Sequence, residues 1–245
     1  VEEAISAAGA AIIVVNGKAG IEVGTQKAWE LCDKYKLPRI VYVSNMDVDN
    51  ASFRQVVEDM TEMFGKKMAP FHLPIRENEK FVGYVNIISE TGNRWVGKDV
   101  VPCEIPGYNQ AYLNDYREAL MESVAETSEE LMDKFFEGEP FTQEEVSQAL
   151  RASVHDRSLI PLLIGDPSTN YGAQALMIAI NKYFPAPTDR IGVQFSGVNT
   201  KADEVYTATY DSTRQTNAYV FKTIVDPFVG KFSLIKVTNG ILKAD

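Results

Sequence analysis

Apolar residues recur along this chain with two different periods, and the change of period divides it. Residues 10–15 and 39–43 are short β-branched runs, the pattern of parallel strands covered on both faces. Between them, the glycine-containing loop 16–24 leads into a stretch in which Ala28, Leu31, Cys32 and Tyr35 share one helical face. Thr25 is the candidate cap of that helix, and Lys36-Leu37-Pro38 its stop. Residues 1–5 read as an amphipathic helix in progress. Residues 52–64 form another, with Phe53, Val56, Val57, Met60 and Phe64 on one side. The strand-to-strand spacing suits a right-handed crossover.

From about residue 65 the character changes. Short apolar runs are broken by Pro70, Pro74 and Gly83, with one strand expected over 81–88. Helical periodicity returns over 112–136, through Tyr116, Leu120, Val124, Leu131 and Phe135. A further helix is expected over 142–152, opened by a Thr142/Glu145 capping box. Residues 160–164 resume the buried-strand style, and 172–184 read as a helix closed by Pro185 and Pro187. After Pro187 the period becomes two: strands are expected over 218–225 and 231–237, joined by a turn at 226–230, and Thr238-Asn239-Gly240 suggests a further hairpin. The expected fold is α/β over 1–64 and 158–187, interrupted by an α+β insertion over 65–157. The start of an antiparallel barrel follows over 188–245. Val1 stands inside an apparent helix and 240–245 inside an apparent strand, which suggests an internal fragment of a longer protein.

Composition narrows the function. Of 245 residues, 45% are hydrophobic and 24% charged, the range of an ordinary globular protein. No apolar run approaches the roughly 20 residues that cross a bilayer. A net charge of −10 argues against a free-standing nucleic-acid binder, which needs clustered Lys and Arg. Part of the excess is local: residues 111–145 carry eleven acids against Arg117 and Lys134, either a solvated helix face or a docking surface for a basic partner. Cys32 and Cys103 fit two reduced thiols of a cytosolic protein, and their spacing matches no metal motif. His72 and His155 stand alone in the sequence.

Ligands of open parallel sheets bind at the carboxyl ends of the strands. Three loops qualify here: Asn16-Gly17, 44–47 and 165–169. In the second, a segment ending in Asp47 at a strand mouth can present a carboxylate to two adjacent N–H donors, as guanine offers on N1 and N2. An aspartate in that place can equally cap the following helix.

At this point a resemblance carries the reading further. Val1-Glu2-Glu3-Ala4-Ile5-Ser6-Ala7-Ala8, residues 11–25 and Lys27-Ala28-Trp29-Glu30 resemble the stretch just after switch II of bacterial elongation factor G. Residues 131–139 (LMDKFFEGE) resemble the helix of that family's insertion, and residues 221–231 (FKTIVDPFVGK) the opening hairpin of its second, β-barrel domain. The likeness runs through essentially the whole chain in the family's order. It implies the second half of a P-loop, Ras-like GTPase domain, its insertion and the beginning of the barrel. It also implies a cytoplasmic protein that acts on the ribosome. The acidic helices at about 111–150 would face the ribosomal stalk protein, and tRNA and mRNA would be moved indirectly.

The family reads guanine with Asn-Lys-x-Asp, which here becomes Ser44-Asn45-Met46-Asp47. Asp47 is retained, whereas Ser44 is too short to reach the base O6. Asn45 lacks the long charged stem that lies across the base. The second base loop reads Gly165-Asp166-Pro167-Ser168, in which Pro167 donates no N–H and Asp166 adds negative charge near the guanine O6. The resemblance therefore implies GTP or GDP in the parent protein, with magnesium held by upstream residues, and weakened base recognition. The phosphate-binding pattern G-x-x-x-x-G-K-[ST] does not occur in this sequence, so no catalytic or metal-binding residue is assigned in it and no bound cofactor is expected. Alternatives within the same resemblance are a ribosome-binding regulatory paralogue and a ribosomal-protection or release-factor-like relative.

Overall fold

The computed structural model describes residues 1–190, 196–199 and 204–243. In chain order the elements are α1 (Glu2–Ala7), β1 (Ala11–Asn16), α2 (Val23–Lys34), β2 (Arg39–Ser44), α3 (Phe53–Phe64) and β3 (Met68–Pro70). Then follow β4 (His72–Glu77), β5 (Lys80–Asn86), β6 (Thr91–Val96), β7 (Asp99–Cys103), α4 (Gly107–Ala125), α5 (Glu129–Glu137) and α6 (Gln143–Asp156). The last group is β8 (Ile160–Ile164), α7 (Ala173–Tyr183), β9 (Ser196–Asn199), β10 (Glu204–Thr207), β11 (Asn217–Asp226) and β12 (Gly230–Asn239). The chain forms two compact units. One comprises residues 12–30 and 38–184, the other residues 1–11, 31–37 and 185–245.

The larger unit holds a sheet in the order β1-β2-β8-β3 and a second sheet in the order β4-β5-β6-β7. β2 and β8 run parallel, with Val43 beside Ile164, and every residue of both strands is buried. Each fully buried aliphatic side chain contributes about 1.5–3 kcal/mol, so this pair anchors the loops at its carboxyl end. β3 joins β8 in parallel, so the first sheet draws a strand from the stretch read as the start of the insertion. β1 departs from expectation. Only Ile13 and Val15 are buried, while Ile12 and Val14 are 39% and 59% exposed. A β-branched run has the same composition on an edge strand as in the middle of a sheet, so its period could not reveal which faces are covered.

Side-chain caps open three of the helices. Ser52 caps α3 by accepting from the Gln55 N–H, and Thr142 with Glu145 forms the expected capping box of α6. The helix expected over 112–136 is two helices. α4 ends at Ala125, and Ser128 caps α5 by accepting from the Leu131 N–H. α2 begins at Val23 rather than after Thr25, whose hydroxyl accepts from the Glu22 N–H. Its buried anchor is Trp29, stacked on Phe64 at 4.1 Å and covered by the Arg39 guanidinium at 4.5 Å. The strands β6 and β7, which alternate too weakly to be read from the sequence, extend the antiparallel sheet.

In the smaller unit, β11 and β12 form the expected antiparallel hairpin, its turn held by Asp226, which accepts from the Phe228 and Val229 N–H groups. α1 packs on β11 through a Glu3–Lys222 ion pair of 3.0 Å, and Lys236 donates to the Ala7 carbonyl. The period-two region from 188 onward also includes residues 191–195 and 200–203, which lie outside the described residues. β12 ends at Asn239 and residues 241–243 belong to no strand, so the hairpin expected after Gly240 is not formed among the described residues. The expected terminal strand over 240–245 ends on Ala244 and Asp245, also outside the described residues.

Candidate functional site

The pairing of β2 with β8 brings two of the three candidate loops side by side. The Met46 N–H donates to the Gly165 carbonyl at 3.3 Å, and the Gly165 N–H donates to the Val43 carbonyl at 3.0 Å. The third loop joins them. The Gly17 N–H donates to the Ser44 carbonyl at 2.8 Å, and a Cβ at Gly17 would stand 2.9 Å from the Met46 sulfur. Asn16 folds its own turn by accepting from the Lys18 and Ala19 N–H groups, and its amide donates to the Asn45 Oδ1 at 3.3 Å.

The loop at 44–47 is held from inside. Ser44 is buried, and its hydroxyl is 3.0 Å from the Asn45 Oδ1 and 3.3 Å from the Val15 carbonyl, which uses its hydrogen-bonding capacity within the loop. Asn45 takes the left-handed conformation, φ +55°, which asparagine tolerates better than most residues. Asp47 is exposed and does not cap α3, since Ser52 does. From β4, Arg76 Nη2 donates to the Met46 carbonyl at 2.5 Å and to the Ala51 carbonyl at 3.1 Å, so a side chain thirty positions along the chain pins this loop.

The second loop is built around Asp166, which is fully buried. Its Oδ2 accepts from the Ser168 hydroxyl at 2.5 Å, the Thr169 N–H at 2.8 Å and the Thr169 hydroxyl at 2.6 Å. Burial by itself would raise this carboxyl, but the hydrogen bonds from Ser168 and Thr169 outweigh it and hold it at about 2. Its Oδ1 has no hydrogen-bond partner among the described residues. Desolvation and the neighbouring Asp166 carboxyl push Asp47 above the usual carboxylate range. Pro167 is exposed at the loop's crest. Gly165 is obligatory, because a Cβ there would fall 1.8 Å from the Tyr42 hydroxyl oxygen. Burial and then Asp166 push that phenol up to about 12.

Tyr171 closes the second loop. Its carbonyl accepts from the Asp166 N–H at 2.8 Å, and its ring stacks on Trp95 of β6 at 4.5 Å and 2°. All six candidate positions, Ser44, Asn45, Asp47, Gly165, Asp166 and Pro167, thus lie in two adjoining loops. Of their side chains, Asp47 is the carboxylate left open to solvent. Arg76, Trp95, Tyr171 and Tyr42 carry no local signal in the sequence. The Asp-x-Ser-Thr spacing at 166–169 does carry one, as a side chain that caps its own turn.

Loops that converge at the carboxyl ends of parallel strands, beside an open carboxylate, mark the ligand-binding edge of an open α/β domain. The model of the family described as elongation factor Tu GTP binding domain matches residues 1–186, and the chain belongs to that family. A crystal structure of a protein from Thermus thermophilus is similar to it at 28% identity with a TM-score of 0.80. The likeness covers 98% of this chain and 33% of that protein, so the chain spans about a third of its neighbour's length.

Proposed function

We propose that this chain is the base-reading half and the insertion of an elongation factor G–type translational GTPase with weakened reading of guanine, whose parent drives tRNA and mRNA translocation in the cytoplasm. Membership of a GTP-binding elongation-factor family supports the general class. The observation that carries the finer reading is the capture of the second loop's donors by Asp166, which takes the Thr169 N–H and both hydroxyls. Guanine fits these residues only in part. Asp47 suits the N1 and N2 donors, while Ser44 is engaged inside the loop and Pro167 has no N–H to offer the O6. Loss of such a contact costs about 1–3 kcal/mol, roughly one to two orders of magnitude in affinity. Phosphate and magnesium contacts would come from residues other than these.

The acidic surface of α4 to α6 is the proposed face for the basic side of the ribosomal stalk protein. Calorimetric titration of the purified chain with GDP tests the base site. No binding tighter than millimolar is expected, and a micromolar constant would overturn the reading of weakened recognition. Replacing Glu122, Glu126 and Glu129 together by Lys should abolish binding to purified stalk protein, and unchanged binding would remove that face from the proposal. The donor capture also favours a second reading, a ribosome-binding regulatory relative of the same family; robust GTP-dependent translocation by the parent would exclude it.

A further inference from the structure

A second concave site, lined by none of the base-loop residues, opens within the larger unit beside β4, β5, α6 and α7. It encloses about 430 Å³, within the span of roughly 300–1,000 Å³ typical of small-molecule pockets. Phe71, Leu163, Ala179 and Tyr183 form its buried floor, and Tyr84 with polar side chains such as Glu90, Gln143 and Ser147 forms its rim. Phe71 and Tyr183 meet edge to face at 5.3 Å, and His72 lies tilted against Tyr84 at 4.5 Å.

Four polar groups of this cleft stand apart from its hydrogen-bond network. The Nδ1 of buried His72 has no hydrogen-bond partner among the described residues. Burial lowers that imidazole to about 3, so it is neutral at physiological pH. The Tyr84 and Tyr183 hydroxyls make no hydrogen bond among the described residues. Two cations line the cleft. Arg117 is committed, to Glu90 at 3.0 Å and to the Ile87 and Ile88 carbonyls. Lys182 makes no ion pair among the described residues and lies 5.5 Å from the centre of the Tyr183 ring. A buried polar group without a partner costs about 1–3 kcal/mol, which a ligand that bonds to it removes.

We propose that this cleft binds a planar aromatic monoanion, with its ring beside Tyr84 over the floor of Phe71 and Tyr183 and its charge met by Lys182 and the phenol hydroxyls. The rings supply offset or edge contacts to a flat ligand. The uncommitted ammonium selects for negative charge, and Glu90 at the same cleft disfavours a second one. The inference is independent of the nucleotide reading.

Isothermal calorimetry of the purified chain with 1-naphthoate, and with 1-naphthol as the uncharged analogue, tests it. Saturable binding of one naphthoate per chain is expected. Lys182→Met should weaken naphthoate about tenfold and leave naphthol unchanged. Ser147→Trp, which fills the cleft from α6, should abolish both, and Ala175→Leu provides a second filling variant if the first does not fold. Absence of saturable binding to the wild-type chain would overturn the proposal, as would full affinity in a folded filling variant. Equal affinity for naphthol and naphthoate would overturn its anionic part.

Discussion

Asp47 and Asp166 stand at the ends of adjacent parallel strands, yet the fold treats them in opposite ways. Asp166 is enclosed and receives three hydrogen bonds on one oxygen, so it stays ionised to about pH 2 and works as the internal brace of its loop. Asp47 remains open to solvent, with its carboxyl raised by desolvation and by its acidic neighbour. Residue type does not set the role. Asp166 commits one carboxylate oxygen to the Ser168 hydroxyl and to the Thr169 N–H and hydroxyl, whereas Asp47 stays at the surface. On the proposed reading, the same division leaves the second loop with few donors for a guanine O6.

The largest expected break in this comparison is Asp166→Ala. It removes three bonds to a buried charge and should lower stability by about 2–4 kcal/mol in urea unfolding, whereas Asp47→Ala should stay within about 0.5 kcal/mol. Equal losses for the two variants would contradict the assigned roles. Next in size is Trp95→Ala. Loss of its stack on Tyr171 should cost about 2 kcal/mol and speed amide exchange over residues 166–172 more than over 46–51. Arg76→Met should do the reverse, loosening 46–51 first at about 1–2 kcal/mol, because the Met46 and Ala51 carbonyls lose a charged donor. Uniform exchange in both loops after either change would show that the braces are not separate.

The smallest effect is in pH. Since the Asp166 carboxyl is lowered from 3.8 to about 2 by folding, its stabilising contribution is complete above its unfolded value and is lost as pH falls through about 2. Asp47 has the opposite sign: its raised value favours the folded state below the unfolded pKa, an advantage lost as pH rises through the folded value. Carboxyl NMR titration should therefore find Asp166 titrating below Asp47, and Asp166→Asn should bring Asp47 down. An unmoved Asp47 would show that the two carboxyls do not interact.

Much of the scaffold was legible because its signals are local. The runs at 39–43 and 160–164 became buried strands, and Ser52 and the Thr142/Glu145 box capped the helices that their spacing predicts. That the loops carrying the six candidate positions stand at strand ends was legible in the pattern of buried strands, and the structure sets them side by side. The break at 126–128 was missed because apolar spacing continues across it, while the competing cap at Ser128 depends on a single hydroxyl.

The sequence by itself determined where carboxylates stand relative to strand ends, since side-chain period and capping chemistry act over a few residues. Which carboxylate is buried, and which loop is pinned by Arg76 or stacked on Trp95, was decided only in the tertiary structure. Those contacts join residues thirty or more positions apart, and desolvation depends on everything packed around a group rather than on its neighbours in the chain.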